Sequence, residues 1–152
     1  MSTNITEVDV RGPRFAAWIT TGVLVAVLLT SAASTAAAAA VLSLQAVVFA
    51  ITAWRGPRQG PYGLFFAHVV APRLTPVTRR EPVPPLKFAQ LVGLLFAVIG
   101  VVGFATGLTV LGLIATAFAL IAALLNAAFG ICLGCQLYPL VARFRSRSPA
   151  AT

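Results

Sequence analysis

Four apolar runs, each long enough to cross a bilayer and nearly free of charge, constrain this chain more than any motif in it. They cover residues 15–31, 37–54 and 87–104, with a last run that starts at Leu108. A hydrocarbon core of about 30 Å takes about 20 apolar residues as a helix, because backbone polar groups inside lipid must satisfy one another. The bulk composition agrees: 59% of residues are hydrophobic and 9% charged, against about 25% charged in soluble domains. The fold class is therefore all-α integral membrane. The links 32–36 and 105–107 are short and uncharged, so the runs pair as antiparallel hairpins. This reading gives a four-transmembrane-helix bundle built from two tandem helical hairpins.

One membrane domain, 1–152, accounts for the whole length: an N-terminal segment 1–14, a first hairpin 15–54, a central loop 55–86, a second hairpin 87–142 and a tail 143–152. The charged start and the small residues Ser31-Ala-Ala-Ser-Thr35 resemble a cleaved signal region. A second apolar span follows at once, which argues against that reading.

Charge sets the orientation. Eleven Lys and Arg against three Asp and Glu give a net charge of +8. Arg11 and Arg14 precede the first run, and Arg55, Arg58, Arg73, Arg79, Arg80 and Lys87 lie between the second and third. Arg143, Arg145 and Arg147 follow the fourth, while both hairpin turns carry no cation. The positive-inside rule places both termini and the central loop on the cytoplasmic side of the inner (plasma) membrane. The excess charge then serves topology and attraction to anionic lipid, and no nucleic-acid partner is expected.

The two hairpins open alike, with Arg14-Phe-Ala in the first and Lys87-Phe-Ala in the second, each after an acid and prolines: Asp9 and Pro13, then Glu81, Pro82, Pro84 and Pro85. That common order predicts a parallel repeat. Within the central loop, residues 62–71 form an apolar stretch suited to a short amphipathic or partly inserted helix that Pro72 and Pro76 end. Residues 82–85 are expected to run extended as a proline strap. His68, the sole histidine, reads as a packing or interfacial residue, since a metal site needs several partners.

The last apolar run is too long for one upright span. A helix from Leu108 to Val141 would measure about 50 Å at about 1.5 Å per residue. It either tilts and continues past the membrane or breaks between Gly130 and Gly134, leaving 136–144 as an interfacial tail. In both cases Cys132 and Cys135, the only cysteines, come to the cytoplasmic boundary as Cys132-Leu-Gly-Cys135. A CxxC holds two sulfurs close enough to form a disulfide or relay a sulfur atom. In a reducing compartment a transient or catalytic disulfide is expected rather than a permanent one.

Packing gives a reading without chemistry, and electrostatics cuts both ways. Gly130 and Gly134 form a small-xxx-small pattern that packs helices, and cysteine itself suits such an interface. At the end of a continuous helix the dipole opposes a thiolate, whereas a break at Gly130 would place the pair at a new helix start that favours it, and Arg11, Arg14, Arg55, Arg58 and Lys87 share this membrane face and could supply compensating charge. Gln45, Gln90 and Asn126 read as interhelical hydrogen-bonding groups, with Asn126 a candidate to line a cavity shared with Cys132. Two cysteines hold zinc or an iron–sulfur cluster only if two chains share them, as in a homo-oligomer.

The blocks Arg11-Gly-Pro-Arg-Phe15, Glu81-Pro-x-Pro-Pro-x-Lys-Phe-Ala-Gln90 and Leu125-Asn-Ala-x-x-Gly-x-Cys-Leu-Gly-Cys-x-Leu-Tyr138 resemble the bacterial membrane family catalogued as domain of unknown function 4395. The resemblance covers nearly the whole chain, and CLGC with its downstream tyrosine is its most specific part. The acid-proline strap carries less charge here than the family pattern. The resemblance brings no activity with it; it implies association with thioredoxin-like and rhodanese-like sulfurtransferase proteins, and hence thiol or persulfide handling.

The reading that follows is a membrane thiol-redox or sulfur-relay protein. Cys132 and Cys135 are its catalytic pair; Asn126, Gly130, Gly134, Gln136 and Tyr138 are the supporting residues, and a cytoplasmic thioredoxin-like or rhodanese-like protein is the partner. A quinone is an open choice of electron acceptor by analogy with four-span CxxC oxidoreductases such as the vitamin K epoxide reductase family. A small transporter of a sulfur compound, and a non-catalytic subunit whose CxxC only packs helices, stand as alternatives. The lack of any intramembrane carboxylate disfavours proton-coupled transport.

Overall fold

The computed structural model describes residues 7–146. Its four spans are α1 (Arg11–Ser31), α2 (Thr35–Arg55), α4 (Val83–Ala105) and α5 (Thr109–Phe129), each long and apolar enough to cross a membrane. Between α2 and α4 lies α3 (Pro61–Phe65), which continues as a π turn over Phe66–Val70 and a tighter turn over Ala71–Arg73. After α5 comes a short amphipathic helix, α6 (Leu133–Ser146). The expected all-α four-helix membrane bundle is what the chain forms. Arg147, counted among the cations of the tail, lies outside the described residues.

Three local outcomes differ from the sequence reading. The spans begin before their apolar runs do: α1 starts at Arg11 and α4 at Val83, because a helix propagates beyond the membrane wherever backbone geometry allows. The proline strap is therefore only Pro82, which is extended and caps α4. Val83, Pro84 and Pro85 form the first turn of α4, where proline costs nothing because those N–H groups have no helical partner. The third outcome is a two-stranded antiparallel ribbon, β1 (Glu7–Asp9) with β2 (Arg80–Pro82), centred on the pair Val8 and Glu81.

The ribbon is fastened by charge. The Asp9 carboxylate accepts from the Arg11 backbone N–H at 3.0 Å and pairs with the Arg11 guanidinium at 2.7 Å, while Arg11 also donates to the Thr75 carbonyl. This hydrogen bonding from Arg11 holds the Asp9 carboxyl below its ordinary range, and it ties the N-terminal segment to the central loop.

Around the bundle the order is α1, α2, α4, α5, with each helix packed on its two ring neighbours. The core at the hairpin-turn end is filled by Leu24, Val27, Leu42 and Phe104. Outward-facing Leu29, Leu44, Leu95, Val110 and Ile121 are exposed apolar residues, as a lipid-facing surface requires. The turn after α1 is closed by Ser34, whose hydroxyl accepts from the Ala37 N–H and caps α2. All described cations flank the opposite end.

Candidate functional site

The site grows from the place where the last apolar run stops being one helix. Gly130 takes a left-handed conformation, φ 69°, and its N–H closes onto Asn126 at the end of α5. Only glycine adopts this conformation freely, so the chain turns here. Of the two sequence expectations for this run, the break is the one that occurs. Gly130 and Gly134 consequently do not share a helix face. Gly130 ends α5, and Gly134 lies in α6 against α4, where an added Cβ would sit 2.5 Å from the Ala89 Cα. The close approach that lets α6 dock therefore belongs to Gly134 alone.

Cys132 immediately precedes α6. Its carbonyl accepts from the Gln136 N–H at 3.1 Å, and its Sγ accepts from the Cys135 N–H at 3.2 Å. A sulfur thus occupies the role that Ser, Thr, Asp or Asn usually fills at a helix start. Cys132 and Cys135 are joined as a disulfide, with their Cα atoms 5.1 Å apart. Both cysteines are half-buried.

The elements around the break come from both hairpins. Arg14, near the start of α1, reaches across to donate to the Ala127 carbonyl in the last turn of α5, with its guanidinium carbon 4.0 Å from where a Gly130 Cβ would stand. It thus neutralises the carbonyl end of α5 directly beside the new helix start. Burial pushes the Glu81 carboxyl above its ordinary value, against the pull of Arg79 and Arg14. Tyr138 packs edge-on against Phe88, with ring centroids 6.0 Å apart, and this contact holds α6 on α4.

Cys132 also forms part of the wall of a cavity of about 300 Å³ between α1, α2, α4, α5 and α6, in the half of the bundle nearest the ribbon. Every described lining residue is uncharged. Asn126 and Gly134 line the cavity as well, so the expectation of a shared cavity for Asn126 and Cys132 holds. Gln136 is exposed on α6. Of the expected interhelical amides, Gln45 behaves as such: buried on α2, it accepts from the Tyr62 hydroxyl at 2.8 Å and faces the Thr20 hydroxyl at 3.5 Å. Burial also raises the Tyr62 phenol above its ordinary value. Gln90 and Asn126 instead face the cavity.

Sequence reasoning named Arg14 only as one of five cations on this face and could not place it, and it did not pick out Tyr62 or Thr20 as parts of this region. Each is distant in the chain from the cysteines, and only the ring order of the helices brings them together. His68 is exposed on the π turn, and among the described residues no three His, Cys, Asp or Glu side chains cluster as a metal site.

Fold and site together define a multi-pass membrane protein with a CxxC disulfide set at an intramembrane-edge helix break beside an uncharged cavity. A family model, Domain of unknown function (DUF4395), matches residues 8–143, and the chain belongs to that family. No curated protein and no solved structure matches it.

Proposed function

We propose that this protein is a membrane thiol-redox or sulfur-relay protein of the inner (plasma) membrane, with both termini and the CxxC on the cytoplasmic side. The observation that carries the reading is the paired Cys132 and Cys135 at the start of α6, with the Cys132 sulfur under a backbone N–H. Helix starts favour a sulfur anion over a thiol, and a CxxC spaced over one turn closes and reopens without moving the backbone far. The cations flanking this end, Arg14, Arg55, Arg58 and Lys87 among them, support the cytoplasmic placement.

In one turn of the cycle a thiolate of a thioredoxin-like partner attacks one sulfur of the disulfide and forms a mixed disulfide. The partner's second thiolate then resolves it. The partner leaves oxidised by two electrons, and the CxxC gains them with two protons as a dithiol. A rhodanese-like partner uses the same reduced pair by passing its sulfane sulfur to one thiolate, which becomes a persulfide while the donor cysteine is regenerated.

The helix-packing alternative is weakened because Gly134, against Ala89, and Tyr138, against Phe88, already supply close contacts that dock α6 on α4. The transporter alternative is weakened because the other half of the bundle is filled by Leu24, Val27, Leu42 and Phe104, all 2% exposed or less, which closes that half with apolar side chains.

The test is the redox state of the pair in intact membranes, read by differential alkylation with membrane-permeant and impermeant reagents before and after an oxidant or thiosulfate challenge. Reversible loss of both thiols, with access from the cytoplasmic side only, is the expected result. A pair that keeps one state through every challenge, or that is reached only from the far side, overturns the reading.

A further inference from the structure

The cavity beside Cys132 has a chemistry that narrows what enters it. Among the described residues its walls carry no charge, so an anionic sulfur compound placed there would lie unpaired in a low-dielectric site, at a large free-energy cost. The occupant is neutral. Aromatic residues Phe49, Phe96 and Phe118 supply flat apolar surface, and the volume of about 300 Å³ stands at the lower end of small-molecule sites, roughly 300–1,000 Å³. That size suits one ring rather than a long chain.

Two amides give the cavity its polarity. Gln90 on α4 and Asn126 on α5 both line it, and among the described residues neither side chain has a hydrogen-bond partner, although neither is sealed from the cavity space. An amide without a partner in the membrane interior is costly, so such groups mark a place where something polar arrives. An amide offers both an N–H donor and a C=O acceptor. A ring carbonyl accepts from the first, and the hydroxyl that replaces it on reduction donates to the second.

The way in is lateral. Phe118 is 56% exposed on the outside of the bundle yet also lines the cavity, and it stacks on Phe96 of α4 at 5.9 Å. The cavity thus reaches the lipid-facing surface between α4 and α5, beside a sulfur that cycles between thiol and disulfide.

We infer that this cavity binds the ring of a lipid-soluble quinone, which takes two electrons from the reduced Cys132–Cys135 pair. This rests on the thiol-redox reading and names its acceptor. Two S–H bonds break and one S–S bond forms; the two electrons and two protons released convert both ring carbonyls to hydroxyls, giving the quinol. No other oxidant is needed. Gln90 and Asn126 orient the ring, and Cys132, the cysteine on the cavity wall, is the sulfur nearest to it.

The experiment uses the full chain in lipid nanodiscs, reduced with a phosphine, desalted without oxygen and given ubiquinone-1, whose fully substituted ring resists thiol addition. Quinol formation is followed by ultraviolet absorbance and remaining thiols by alkylation. One quinol per chain, with loss of both thiols, is expected. Substituting Ala123→Phe, which places a ring in the cavity, is expected to slow quinol formation roughly tenfold or more. A photoreactive azidoquinone is expected to label peptides of α4 and α5 in the wild-type protein, and excess ubiquinone-1 to suppress the labelling; this readout does not depend on any variant folding. Closure of the pair by diamide but not by ubiquinone-1 overturns the quinone inference and leaves the thiol cycle standing. Failure of both reagents overturns the two together, and labelling spread evenly over the lipid-facing helices overturns the assigned site.

Discussion

Cys132 and Cys135 differ in their surroundings although only two residues separate them. The Cys132 sulfur stands before the first turn of α6 and accepts a backbone N–H at 3.2 Å, whereas Cys135 lies within the helix, after that turn has begun. Both lie near the positive end of the helix dipole, but it is the Cys132 sulfur that accepts a backbone N–H, so in the proposed cycle Cys132 would be the better thiolate and Cys135 the resolving thiol. In the reduced protein Cys132 is expected to be carboxymethylated several-fold faster than Cys135, on the order of the effect of a partly buried helix terminus. Mass spectrometry of peptides after short pulses of iodoacetamide reads this directly. Cys135→Ser should also accumulate a mixed disulfide with a small thiol, while Cys132→Ser should not. Equal rates and equal trapping would remove the helix start from the account. At this scale the sequence was informative about the pair itself, since CxxC spacing is a local signal. It named Arg14 as a cation on the same face but could not place it, because nothing in Arg11-Gly-Pro-Arg says which distant carbonyl the guanidinium will reach.

Among the elements, the decisive one is the break between α5 and α6. Length alone ruled out one upright span, because the run from Leu108 to Val141 exceeds the hydrocarbon core, but length did not choose between a tilted helix and a broken one. Gly130 makes that choice by adopting φ 69°, and Gly134 then lets α6 fold back onto Ala89. The proline segment before α4 misled for a related reason. Extended and first-turn backbones both accept proline, so the residues 82–85 read equally well as strap or helix start until the ribbon partner of Pro82 is known. Replacing Gly130 by alanine is expected to cost about 1 kcal/mol, and by asparagine less, since asparagine tolerates the left-handed conformation. Replacing Gly134 by leucine should cost at least the 1–3 kcal/mol typical of overpacking, and should loosen α6 from α4. Thermal unfolding in detergent gives the order of these variants, and a Gly134→Leu protein as stable as wild type would show that α6 does not dock as described.

Across the whole molecule a single relation organises these parts. The offset that carries Arg14-Phe-Ala onto Lys87-Phe-Ala also carries Val8 onto Glu81, the central pair of the ribbon. It carries the Phe15–Phe65 ring contact onto the Phe88–Tyr138 contact as well. Each half is therefore a short strand, a transmembrane hairpin, a glycine with positive φ (Gly56 or Gly130) and a short helix folded back on the first span. The ring order α1, α2, α4, α5 is the one a two-fold axis along the bundle produces, and the antiparallel ribbon lies across that axis. The sequence showed only the first letters of this repeat, because lipid-facing positions accept any apolar residue and erase similarity between the halves. The cysteines belong to the second half: the position matching Cys132 is Gln59 and that matching Cys135 is Tyr62. If the halves are separate units joined through the α1–α5 and α2–α4 interfaces, the link between them is dispensable once both are present. Residues 74–79 are exposed throughout and connect the halves without entering the core. Expressing 1–76 and 77–152 as two chains should then give a complex that co-purifies through a tag on either piece and closes the Cys132–Cys135 disulfide at a wild-type rate. The 77–152 piece alone keeps α6 but lacks Arg14, α1 and more than a third of the cavity wall, so the preference for Cys132 should weaken in it. Pieces that fail to co-purify, while each inserts in the membrane, would mean that the halves depend on the covalent link and that the two-fold relation does not describe how the bundle assembles.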